Sequence, residues 1–132
     1  MNKLILTTLF LLFSAQANAG CWEITNLKGY SALKGNTYTH QADRIPGKHI
    51  LLIHEDYAYF GGTGANKSDL KHIPISPTTA MGLYKENNVT TTETISIDGN
   101  RVLYTKISNR ATLHSNISGT HSFVGDATPC KL

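Results

Sequence analysis

The sequence predicts an all-β domain, a small antiparallel barrel or sandwich of about eight short strands, and three observations carry that expectation. Beyond the first nineteen residues no segment sustains a 3.6-residue apolar period over three turns. Thr, Ile, Val and Tyr recur in short runs broken by Gly, Asn and Asp, the punctuation of strands and turns. Around Asp98-Gly99 two such runs face each other across a tight-turn signal, because Gly supplies the positive φ that a two-residue hairpin loop demands.

The N-terminus has the three parts of a cleavable secretory signal. Lys3 is the charged start, Leu4 to Phe13 the apolar run, and Ala17-Asn18-Ala19 the small-x-small site, with cleavage expected after Ala19. A run of ten residues, Thr7 and Thr8 among them, is too short to cross a hydrocarbon core of about 30 Å. Reading Cys21 as an acylated lipoprotein cysteine fits less well, since Asn18 stands where that box carries Leu. Residues 20–132 then form a single domain, a length sufficient for one hydrophobic core. Without Lys3, eleven Lys and Arg face nine Asp and Glu, and the basic residues are dispersed. Nothing in that pattern points to nucleic acid. Cys21 and Cys130 lie near the two ends of this domain, and export to an oxidising compartment predicts a bridge between them.

Taken in order, the expected strands are Trp22 to Leu27, His49 to His54, Asp56 to Phe60, Lys71 to Ile75, Ala80 to Lys85, Val89 to Ile97, Arg101 to Ile107 and Thr120 to Val124. Ile95 and Ile97 alternate with Thr94 and Ser96, as in a strand with one buried face. Turns are expected at Lys34-Gly35-Asn36, Pro46-Gly47, Gly61-Gly62-Thr63-Gly64 and Glu86-Asn87-Asn88. Pro74 and Pro77 make their segment an edge strand or an irregular crossing, because proline cannot donate to a ladder.

Few motifs carry chemistry. Gly61 to Ser68 looks like a phosphate loop ending in Lys67-Ser68, but Asn66 replaces the required glycine and the context is strand to strand. Six histidines (His40, His49, His54, His72, His114 and His121) fit no standard metal spacing, and His54-Glu55-Asp56 is only their densest neighbourhood. No Gly-x-Ser-x-Gly elbow supports a hydrolase. The sequons at Asn66, Asn88 and Asn116 are expected to be silent behind a bacterial-looking signal. No metal or cofactor is therefore expected, and no catalysis.

A partner surface is the remaining reading. With Phe60 facing the core, strand alternation turns Tyr57 and Tyr59 to water beside the glycine-rich loop. The candidate partner-binding residues are Tyr57, Tyr59, Gly61, Gly62, Thr63, Gly64, Asn66 and Lys67.

Gly20-Cys21-Trp22 resembles the Gly-x-Trp signature on the first strand of calycins, the lipocalin and avidin group of ligand-holding barrels. The resemblance implies a barrel that could carry a small apolar ligand; the plainer reading makes Trp22 an aromatic plug of the barrel end. The Cys-Trp start and the closing Ser122-to-Cys130 segment are also similar to small periplasmic β proteins of Gram-negative bacteria. The resulting expectation is an exported, non-catalytic binding protein, an inhibitor or immunity protein against a toxic hydrolase, with the apolar-ligand carrier as the alternative.

Overall fold

The computed structural model describes residues 20–63, 70–111 and 114–131, so the expected signal segment lies outside the described residues. The strands are β1 (Gly20–Leu33), β2 (His40–Ile45), β3 (His49–Ile53), β4 (Ala58–Gly62), β5 (Lys71–Ser76), β6 (Thr79–Glu86), β7 (Val89–Asp98), β8 (Arg101–Arg110) and β9 (Gly119–Pro129). All pairings are antiparallel. Eight strands follow one hydrogen-bonded path, β4-β3-β1-β9-β8-β7-β6-β5, and its two ends touch, giving a nearly closed barrel. Phe60 of β4 and His72 of β5 seal that seam edge to face at 6.2 Å. Of the two architectures the sequence allows, the barrel is the one formed.

The long β1 organises the molecule. β9 runs beside it along nearly its whole length, whereas its other edge pairs first with β3, over Gly20 to Ile24, and then with β2, over Leu27 to Ala32. The change of partner coincides with a bulge between Thr25 and Lys28, where Asn26 has φ 56°. Asn tolerates this left-handed conformation because its side chain can bond nearby, and here Nδ2 donates to Asp126 Oδ2 at 2.8 Å. The extra residue lets Ile24 and Leu27, three apart in sequence, both point inward and bury completely.

The core is Ile24, Leu51, Ile53, Phe60, Ala80, Ile95, Ile97, Val102, Tyr104, Phe123 and Ala127, joined by Leu27. Trp22 packs partly buried against it, and a Cβ on Gly20 would overlap the indole at 2.0 Å, so the Gly-x-Trp pair is one packing unit. Cys130 is tied to β1 twice, by the Cys21–Cys130 disulfide (Cα–Cα 5.3 Å) and by its N–H donating to the Cys21 carbonyl at 2.9 Å. In the chain-entropy account a loop this long gives about 4.7 kcal/mol.

The expected β7–β8 hairpin is present in register from Val89↔Arg110 to Asp98↔Arg101. Its loop is Gly99-Asn100, with Gly99 at φ 59°, so the glycine occupies the first loop position and Asp98 closes the strand. β2 was not expected, because His40-Gln41-Ala42-Asp43-Arg44-Ile45 has no apolar alternation. Gly61 and Gly62, expected in a turn, belong to β4, which ends in a bend at Thr63, and Gly64 lies outside the described residues; the turn between β3 and β4 is closed by the His54 N–H donating to the Tyr57 carbonyl at 2.8 Å. Pro74 does lie in an edge strand, β5. Among the described residues no helix is long and apolar enough to cross a membrane.

Candidate functional site

Side chains that pair across an antiparallel sheet point to the same face, so the ladder registers sort the barrel interior into rows. One row, with a single glycine in it, carries only polar side chains from β5 to β2. It runs His72 (β5), Gly82 (β6), Glu93 (β7), Lys106 (β8), His121 (β9), Ser31 (β1) and Gln41 (β2). The row beside it continues the polar character with Thr91 and Ser108, whose hydroxyls meet at 3.0 Å.

Glu93 is the centre of this layer and is 5% exposed. A carboxylate removed from water needs donors on both oxygens, and both are satisfied. His72 Nε2 donates to Oε1 and the Tyr104 hydroxyl donates to Oε2, each at 2.6 Å. Gly82 makes the first contact possible. A Cβ there would fall 2.7 Å from His72 Nε2 and 3.0 Å from Glu93 Cγ, so only an absent side chain lets its two neighbours meet.

The titrating groups respond to this environment. Burial first, then the charge and hydrogen bond of Glu93, hold the Tyr104 phenol protonated far above its ordinary range. Burial holds His49 below the usual imidazole range against the pull of Glu93, and among the described residues its buried Nδ1 has no hydrogen-bond partner. Burial and the Lys106 ammonium lower His121, opposed by Asp43, whose Oδ2 lies 3.5 Å from His121 Nδ1. Aromatic rings cross the interior between these histidines. His49 stacks on Phe60 at 5.4 Å, Phe60 meets Tyr104 at 5.8 Å, Tyr104 stacks on Phe123 at 5.8 Å, and Phe123 meets His121 at 5.7 Å.

Between β2 and the inward residues of β8 and β9 lies a pocket of about 240 Å³, with Ile45 among its lining residues. No family model, curated protein or solved structure matches the chain.

Of the partner-binding residues singled out in the sequence, the described ones lie on β4, the turn before it and the bend after it, away from this layer. Phe60 is buried and Tyr57 and Tyr59 are 51% and 39% exposed, the orientation that strand alternation predicts. Tyr57 is on the β3–β4 turn, stacked on His54 at 4.9 Å. Tyr59 lies over Gly61, where a Cβ would meet its hydroxyl at 2.6 Å, so Gly61 is covered by the tyrosine. Gly62 pairs with His49, and the Thr63 N–H donates to the Lys48 carbonyl at 3.3 Å. Gly64, Asn66 and Lys67 lie outside the described residues.

The tyrosines have neighbours that sequence reasoning did not assign to the surface. On the strands next along the barrel wall, Ile73 and Ile75 of β5 and Met81 and Leu83 of β6 are all exposed. They share an outer face rimmed by Lys71 and Lys85. The interior layer was missed as well, although one signal was present. Thr91, Glu93, Ile95 and Ile97 alternate along one face of β7, so an inward Ile95 forces an inward Glu93. Among the described residues no group of three or more His, Cys, Asp and Glu side chains is placed to hold a metal ion.

Proposed function

We propose that this chain is an exported, non-catalytic protein-binding module of the periplasm, of the inhibitor or immunity class, which docks through the outer face of β4, β5 and β6. The observation that supports the reading is the contiguity of six exposed large side chains, Tyr57, Tyr59, Ile73, Ile75, Met81 and Leu83, on the turn and strands of one wall. Isolated apolar residues are ordinary on a protein surface, but a continuous patch with a polar rim is the composition of a recognition site. Lys71 and Lys85 at its margin suit an acidic partner rim. The disulfide suits an exported protein, and a rigid disulfide-closed barrel presents such a face with little ordering cost.

The carrier alternative has less support. Apolar-ligand pockets are lined mainly by apolar side chains, usually over 300 to 1,000 Å³. Here the apolar part of the interior is filled by its own side chains, and the pocket between β2, β8 and β9 is small and edged by Asp43, Lys106 and His121.

The test is affinity capture from periplasmic extract with the purified protein, followed by titration of the captured protein. Changing Tyr59 and Leu83 to Ala should weaken that complex by about 1 to 2 kcal/mol per residue with the melting temperature nearly unchanged. Retention of full affinity by both variants would remove this face from the interaction.

A further inference from the structure

β9 stands four strands from β5 in either direction round the barrel, so the wall centred on it faces away from the β4 to β6 surface. The registers set the outward side chains of this opposite wall in rows. One row runs Leu103 (β8), Val124 (β9), Lys28 (β1) and Arg44 (β2), two aliphatic side chains followed by two cations. The next runs Thr105, Ser122, Tyr30 and Ala42. Tyr30, Leu103 and Val124 are all exposed, as is Ile107 two residues beyond Thr105. Within these two rows the only charges are therefore positive.

Lys28 and Arg44 are directly opposite across the β1–β2 ladder, an arrangement in which like charges repel. Among the described residues neither side chain forms an ion pair. The carboxylates nearest in register are committed elsewhere. Asp126, the next outward residue of β9 after Val124, accepts from Arg101 at 2.6 Å and from Asn26 at 2.8 Å. Asp43 turns to the inner face, its Oδ2 3.5 Å from His121 Nδ1. Shallow depressions flank the two cations on either side, one bordered by Tyr30, Ala42 and Asp43 and the other by Asn26 and Pro46. An anionic group seated there would relieve the repulsion between Lys28 and Arg44.

We propose that the outer wall of β8, β9, β1 and β2 docks on an anionic phospholipid surface, with Lys28 and Arg44 on headgroup phosphates and Leu103, Val124, Ile107 and Tyr30 entering the interface. Charge complementarity selects an anionic surface, and the mixture of side chains selects lipid over protein. The wall is convex and its aliphatic groups are set among the hydroxyls of Thr105, Thr120 and Ser122, so it offers no continuous apolar centre for a rigid partner to cover. A fluid bilayer accommodates each aliphatic group separately and brings phosphate to wherever a cation arrives, and tyrosine suits the headgroup level because its ring is apolar and its hydroxyl polar. Docked in this way, the molecule would hold its β4 to β6 face away from the membrane. The two surfaces are separate, and either can stand without the other.

The test is co-sedimentation of the purified disulfide-bonded protein with vesicles of phosphatidylglycerol and phosphatidylethanolamine in equal parts, against vesicles of phosphatidylcholine alone. Partition onto the anionic vesicles is expected, weakening as salt is raised, with much less on phosphatidylcholine. Lys28→Gln and Arg44→Gln should each weaken it about fivefold, the share of one basic residue at an anionic surface. Both side chains are exposed, so these variants should melt like the wild type. Leu103→Ser should weaken partition as well, whereas Tyr59→Ala, on the opposite wall, should leave it unchanged. Equal partition onto both kinds of vesicle, none onto either, or wild-type partition of the Lys28→Gln, Arg44→Gln double variant would each overturn the proposal. So would release by millimolar inorganic phosphate at constant ionic strength, which marks a site for a soluble anion, or equally tight binding of a glutamate-rich peptide, which marks an acidic protein partner.

Discussion

The two ends of this barrel solve the same problem with opposite chemistry. At one end Ile24, Leu51, Ile53, Ile95, Ile97 and Val102 fill the interior, and apolar burial adds to the strand ladders and the Cys21–Cys130 bridge in holding the strands together. A few residues further along the same strands, His72, Glu93, Lys106 and His121 occupy the equivalent inward positions. The apolar end needs only volume, which many side chains supply. The polar end needs every donor matched to an acceptor, because an orphaned buried polar group costs about 1 to 3 kcal/mol and an orphaned charge more. Small sequence changes should therefore act differently at the two ends, and a set of substitutions with a pH series makes that contrast measurable.

Glu93→Ala should have the largest effect, about 3 to 5 kcal/mol in denaturant unfolding, since it strands His72 and Tyr104 together. Ile95→Val, next inward on the same strand, removes one methylene and should cost about 0.5 to 1.5 kcal/mol. If the two losses come out equal, the polar layer is not the constrained end.

Gly82→Ala comes next, at about 1 to 3 kcal/mol, because the new methyl must displace His72 or Glu93. Alanine normally improves on glycine inside a strand, so a stabilised variant would show that the His72–Glu93 contact has room to move. Gly99→Val at the hairpin loop should cost about 1 to 2 kcal/mol for the left-handed backbone alone, as nothing lies within 4 Å of a Cβ there. Comparing these two glycines separates a steric requirement from a conformational one.

The smallest effect is that of pH, and it should arise at the polar end. His49 and His121 have folded pKa values below their unfolded value of about 6.5. As pH falls through 6.5 the unfolded chain takes up protons first, so stability should decline on acidification until the folded values are passed. Tyr104 is raised, so stability should also decline as pH climbs above about 10, where only the unfolded phenol ionises. Melting curves across this range check both limbs, and His121→Phe should shallow the acidic one.

How much of this was legible beforehand follows from where the information lies. The Asp98-Gly99 hairpin and the orientation of Phe60 against Tyr59 depend on neighbours in sequence, and alternation predicts both. The bridge between Cys21 and Cys130 follows from compartment and count. β2 escaped notice because its partner and its position over the interior are set by the bulge at Asn26, which no local pattern announces. The polar layer escaped for a related reason. Its members are spread from residue 31 to residue 121 and become neighbours only through six strand registers, so spacing rules written for metal or catalytic motifs pass over them. The glycines at 61 and 62 misled in the other direction, since in β4 Gly61 is small because Tyr59 folds over it.

The Cys21–Cys130 bridge has one more consequence. With 109 residues of separation between the joined cysteines, the described domain is a covalent ring with short tails. A protease that cuts one exposed turn, such as Gly99-Asn100, opens the ring without releasing a fragment. β7 and β8 would then be joined the long way round, through β1 and β9 and the sulfur bridge between them. The nicked chain would stay one covalent species, heavier by the water that hydrolysis adds, and keep its strand neighbours, and only a second cut or a reductant would let any strand leave.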